Sequence, residues 1–160
     1  MSKQITKIMD SENKIREYKE NLKKLGAELS ATQYNFKIKN ESSEKYWVKK
    51  IQEFSKYHKK TIEYFTEVYS LMKLINEEQS DMFLLRLSKL RQLGINLLED
   101  MENVKQNPSS MDLKDKPQSR WSMEQREKLI KSNNECLNHE KRMNIFFKEF
   151  YEKYLQNKQN

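Results

Sequence analysis

Residues 44–104 read EKYWVKKIQEFSKYHKKTIEYFTEVYSLMKLINEEQSDMFLLRLSKLRQLGINLLEDMENV, and one stripe runs through nearly all of it. Its members are Trp47, Ile51, Phe54, His58, Thr61, Phe65, Val68, Met72 and Ile75. It resumes at Met82 or Phe83 and continues through Leu87, Leu90, Gly94, Leu97, Met101 and Val104. Steps of three and four residues place such positions on one side of an α-helix. The spacing therefore predicts an amphipathic helix from about Glu44 to Val104. Unbroken, it would hold about 60 residues and reach roughly 90 Å.

The same period extends outward on both sides. From about Gln4 to Lys39, apolar residues recur at Ile8, Ile15, Tyr18, Leu22, Leu25, Leu29 and Phe36, which predicts a first helix. The junction Lys39-Asn-Glu-Ser-Ser-Glu44 holds helix-capping residues but neither proline nor glycine. A turn over 40–44 and a near-continuous helix over 1–106 both fit it. Residues 107–120 contain both prolines, Pro108 and Pro117, and read as a loop. Ser122-Met-Glu-Gln125 has capping-box spacing, which predicts a third helix over 121–160. Its apolar face is Leu129, Ile130, Cys136, Leu137, Met143, Phe147, Phe150 and Tyr154. Trp121 is placed to pack on the first turn, and the polar end 156–160 is expected to fray.

The register of the stripe drifts. It advances by one heptad position between the first and second segments, and again from Phe83 onward. A strict heptad imposes a supercoil, whereas a straight helix drifts by about 20° per heptad. The pattern predicts packed helices rather than a zipper rod. Gly94 on the stripe marks a hole, a kink or a close approach, at about 1 kcal/mol of helix propensity.

Composition agrees with this reading. The chain has 160 residues, only two glycines and two prolines, 36% apolar and 34% charged residues. Few turns can be built, and the apolar surface is narrow. The expected fold is one all-α domain: an elongated, coiled-coil-like bundle of three long amphipathic helices, its surface completed by oligomerisation or a protein partner. A single cysteine, Cys136, allows no intrachain disulfide and favours a reducing compartment. The N-terminus lacks a signal-like apolar run, and no stretch is apolar enough to span a membrane. The expected location is intracellular, cytoplasmic or nuclear. The net charge of +7 is dispersed: +4 over residues 1–40, zero over 41–106 and +3 over 107–160. Nucleic-acid binders usually concentrate such charge.

Candidate chemistry is sparse. Cys136, His139 and Glu140 share a helical face, but no paired-ligand motif accompanies them, and no metal site is expected. His58 reads as a polar member of the stripe. There is no glycine-rich phosphate loop and no nucleophile elbow, so no catalytic residue, cofactor or small-molecule substrate is expected. Tyr46-Trp-Val-Lys-Lys50 interleaves rings with lysines as stacking proteins do, but Trp47 lies on the stripe. The segment FSKYHKKTIEYF at 54–65, within a plan of three long helices, resembles BAR-type domains in architecture. That resemblance implies an alternative, a dimer that binds anionic membrane surfaces. The favoured reading is a non-enzymatic protein–protein interaction module, a scaffold or subunit of a larger assembly. Its expected anchors are Trp47, Phe54, Phe65, Leu87, Leu90, Phe147 and Phe150, because large residues near an interface centre tend to carry its energy.

Overall fold

The computed structural model describes residues 3–75, 77–111 and 120–156. The chain is all-α. Helices α1 (Lys3–Thr32), α2 (Glu44–Ile75), α3 (Glu77–Gln106) and α4 (Arg120–Tyr154) are accompanied by a 3₁₀ turn, Pro108–Met111, and no strand occurs among the described residues. The helices hold 30 to 35 residues each, or about 45–52 Å. α1 packs on α2, α2 on α3, and α3 on α4.

The expected single helix over 44–104 is two helices. Phe65 of α2 meets Phe83 of α3 at 6.0 Å between ring centroids, and His58 faces Gly94. These pairings run in opposite directions along the chain, so α2 and α3 form an antiparallel hairpin. The physical reason lies in the sequence. Six consecutive polar residues occupy 76–81, and folding there lets each half of the stripe bury the other. A continuous rod would have left both halves in water. The third helix of the expectation therefore becomes the fourth.

The first helix also ends early. α1 stops at Thr32, whose Oγ1 donates to the Leu29 carbonyl at 2.6 Å. Gln33 then takes a left-handed φ of 46°, a conformation that ends helices. Residues 33–43 carry no helix, so the break is longer than the expected turn at 40–44. Tyr34, Phe36 and Ile38 pack against the core, while Asn35, Lys37 and Lys39 are exposed. This period of two is that of extended chain. Side chains satisfy the strap's backbone. Lys50 donates to the carbonyls of Asn35 and Lys37, Asn133 of α4 to that of Phe36 at 2.8 Å, and Trp47 Nε1 to that of Glu41 at 2.8 Å. An extended segment has no helical ladder, so these bonds replace it.

The core is built mainly by α2, α3 and α4, from Trp47, Phe54 and Phe65 through Phe83, Leu90 and Met101 to Leu129, Met143 and Phe150. Among the described side chains, α1 contributes one buried apolar residue, Leu22, with Ile15 and Tyr18 half-buried. Polar contacts fix its register: Glu28 with Lys60 at 3.1 Å, Asn21 with Glu67 at 3.3 Å, and Lys19 with the Leu155 carbonyl at 3.0 Å. α4 begins at Arg120, so Ser122 sits in its first turn rather than at the cap, and Trp121 is exposed rather than stapled. The greater part of the expected loop (112–119) and of the frayed tail (157–160) lies outside the described residues.

Gly94 is the close approach. A β-carbon there would overlap the His58 imidazole, which stacks on Phe54 at 5.2 Å. Gly94→Ala should therefore destabilise the fold by about 2 kcal/mol, although alanine is the better helix former. In denaturant unfolding, His58→Ala in the same chain should remove most of that cost. A Gly94→Ala protein as stable as the parent would contradict the packing.

Candidate functional site

Burial first decides what is not available to a partner. Of the expected anchors, Trp47, Phe54, Phe65, Leu87, Leu90 and Phe150 are all at most 2% exposed. They are core residues of the chain itself: the α2–α3 hairpin closes the stripe of the first five from within, and Phe150 is buried on α4. Phe147 alone is half-buried. Its ring lies edge-on to Tyr64 and Tyr151, beside a cleft that α1 and α4 share.

The uncommitted surface lies on the outer side of α3 and α4. Leu85 is 73% exposed, Ile145 58% and Met82 52%. Open apolar side chains are informative where they form one patch. Met82 and Ile145 are joined through Arg86, and Leu85 lies one turn from Met82 on α3. Arg86 places Nη2 at 3.8 Å from the Met82 sulfur and its guanidinium carbon 4.9 Å from the centre of the Phe146 ring. Phe146 stacks in turn on buried Phe83.

Beside this patch runs a basic cleft of about 530 Å³, lined by Arg86, Lys89, His139, Arg142, Ile145, Phe146 and Glu149. A second hollow of about 230 Å³ continues it, sharing Lys89, His139 and Arg142. Among the described residues, no carboxylate lies within ion-pair distance of Arg86, Lys89 or Arg142. His139 shows the field they create. Its imidazole is held below the ordinary histidine range chiefly by burial, and the charges of Lys89, Arg142 and Arg86 push the same way. A neutral ring facing a carbonyl must donate to it, so Nε2 carries the proton toward the Arg86 carbonyl at 2.7 Å. That bond ties α4 to α3 under the cleft floor. Cations beside open apolar side chains suit a protein surface that carries both carboxylates and apolar residues.

A second constellation lies beneath the strap. Tyr57 donates to Glu140 Oε1, Tyr34 stacks on Tyr57 at 5.5 Å, and Cys136 lies a turn before Glu140. Glu140 Oε2, Tyr34 Oη, Asn133 Oδ1 and His58 Nδ1 are buried with no hydrogen-bond partner among the described residues. Burial raises the Glu140 carboxyl to about 7, against a smaller opposing pull from the Tyr57 bond. It also raises the Cys136 thiol to about 12, so this sulfur is a poor nucleophile and metal ligand. No group of three His, Cys, Asp or Glu side chains among the described residues could hold a metal ion. No described helix is long and apolar enough to cross a membrane.

Comparison with protein-family models, with curated proteins and with solved structures finds no match. The reading of function rests on the residues themselves.

Two buried groups make opposite demands on pH. Glu140 holds a proton in the native state that the unfolded chain releases near pH 4.5, so its contribution falls as pH rises from 4.5 through about 7. His58 is pushed by burial to about 4, below its ordinary 6.5, so its contribution rises with pH over that interval. Between pH 4.5 and 6.5 the Glu140 slope offsets much of the histidine slope, to which His139, also held low by burial, adds in the same direction as His58. Glu140→Gln should remove that offset and steepen the rise of stability with pH by about 1.4 kcal/mol per pH unit. Urea unfolding across that range checks it, and a variant profile parallel to the parent's would refute it.

Proposed function

We propose that this chain is a non-enzymatic helical interaction module, a scaffold or assembly subunit that engages protein through the outer face of α3 and α4. The observation that carries the reading is the conjunction on that face of open Leu85, Ile145 and Met82 with Arg86, Lys89 and Arg142, cations with no ion-pair partner among the described residues. Trp121 and Ile95 are open elsewhere on the bundle, but neither lines this cleft of cations, and the two most open large apolar residues, Leu85 and Ile145, both lie on this face.

The anionic-membrane alternative drew on the segment 54–65 within a plan of three long helices. The chain has four helices among the described residues, the longest of 35 residues. The cations of the cleft alternate with carboxylates, Glu149 and Glu135, which anionic lipid would repel.

Affinity capture under native conditions, run beside mass measurement in solution, tests the proposal. The parent chain should form a complex, either with a second copy or with another protein. Leu85→Glu combined with Ile145→Glu should abolish it without altering thermal unfolding, since both positions are solvent-facing. Flotation with anionic liposomes should leave the protein in solution. A chain that stays monomeric, retains no protein through these residues or floats until salt releases it would overturn the reading.

A further inference from the structure

Four exposed residues of α3 form a seam of their own: Glu78, Met82, Leu85 and Lys89. They are separated by four, three and four residues, which aligns them on one side of the helix. That side faces away from the buried stripe of Phe83, Leu87 and Leu90. The spacing reads the same in either direction. A second α3 laid antiparallel against it brings Met82 of one copy against Leu85 of the other, twice. It also brings Glu78 of one against Lys89 of the other, again twice. Two apolar layers are thus closed at both ends by opposite charges. The reverse alignment of signs, like against like, does not arise in this register.

From this self-complementarity we infer that the α3 face pairs with a second copy of the chain about a twofold axis between Met82 and Leu85. Such isologous contacts are the commonest way for identical chains to associate, because one patch serves both sides. The four layers place the most open large apolar side chain, Leu85 at 73% exposure, at the centre of the contact. The charged layers sit at its rim, where they fix direction and register more than affinity. Lys89 suits this role since it has no ion-pair partner within its own chain among the described residues. Ile145, beside Arg86 in the cleft wall, extends the apolar area onto α4. The inference rests on reading the α3–α4 face as a contact surface, and it names the occupant.

Sedimentation equilibrium over micromolar to submillimolar concentrations tests it on the whole chain. The mass should pass from one to two copies, and Leu85→Glu should hold it at one with the helical signal and thermal midpoint unchanged. Glu78→Lys and Lys89→Glu should each weaken pairing by about tenfold, since each sets like charges opposite one another in two places. Mixing those two variants should restore pairing, because every layer then carries opposite charges. A monomer at all concentrations, a dimer indifferent to Leu85→Glu, or a mixture no tighter than the separate variants overturns the inference. A monomer that still captures another protein through Leu85 would remove the second copy while leaving the contact surface in place.

Discussion

The rest of the molecule depends on covering α2. Its buried positions include Trp47, Phe54, Thr61, Phe65, Val68, Leu71 and Met72, a stripe longer than any one neighbour can close. α3 closes one flank by folding back. The other flank is divided between α1, which packs on it past Tyr64, α4 side chains that reach Tyr57 and Tyr64, and the extended strap near Phe54 and Tyr57. Burial of each large side chain contributes about 1.5–3 kcal/mol. Hairpin, strap and fourth helix are then three solutions to one requirement. The polar groups that tolerate burial here do so because they stitch these elements together. Lys50 sits beside two strap carbonyls and over the Tyr34 ring at 4.6 Å, and burial lowers its pKa, against a smaller pull upward from Glu53 and with a further push down from Lys39.

The strap illustrates how the sequence was legible and where it was not. Periodicity gave the helical class and most of the inward side of α2 and α3, whereas on α4 the expected Ile130 and Tyr154 are exposed and Ser132, Asn133, His139 and Glu140 are buried instead. It failed at breaks, because a stripe can continue across a break without interruption. Between Ile75 and Phe83 the spacing can still be read as two further turns. The register shift at Phe83 was read as the drift of a straight helix, whereas it marks the start of a new one. The polar run 76–81 carried the correct signal. At Tyr34, Phe36 and Ile38 the period had changed to two, but Phe36 also fitted the helical stripe. The αL geometry at Gln33 could not be foreseen, because glutamine at that position announces no stop.

The glycine shows a different limit. Its place on the stripe pointed to a close approach, and His58 occupied the adjacent segment. Their pairing was invisible as long as both were read on one helix, some 36 residues apart. Once the hairpin forms, the missing side chain of one residue makes room for the ring of the other. A helix-weakening glycine is thereby retained at about 1 kcal/mol of propensity, and a neutral histidine enters a core from which its charged form is excluded.

The same logic relocates the site. Apolar area removed from water within the chain is unavailable to a partner, so the largest side chains could not be both core and anchor. The residues on a stripe are those best at forming a core, and the hairpin claims them. What remains for recognition must lie off the stripe. Leu85 follows Leu84 directly and stands two residues from Phe83 and Leu87, on the far side of the same helix. Consecutive apolar residues in an otherwise amphipathic helix indicate a second face, narrower than the first. On α3 that face is too small to hold a fold together and, with a glutamate at one end and a lysine at the other, polar enough to stay in water, which suits the pairing proposed for it.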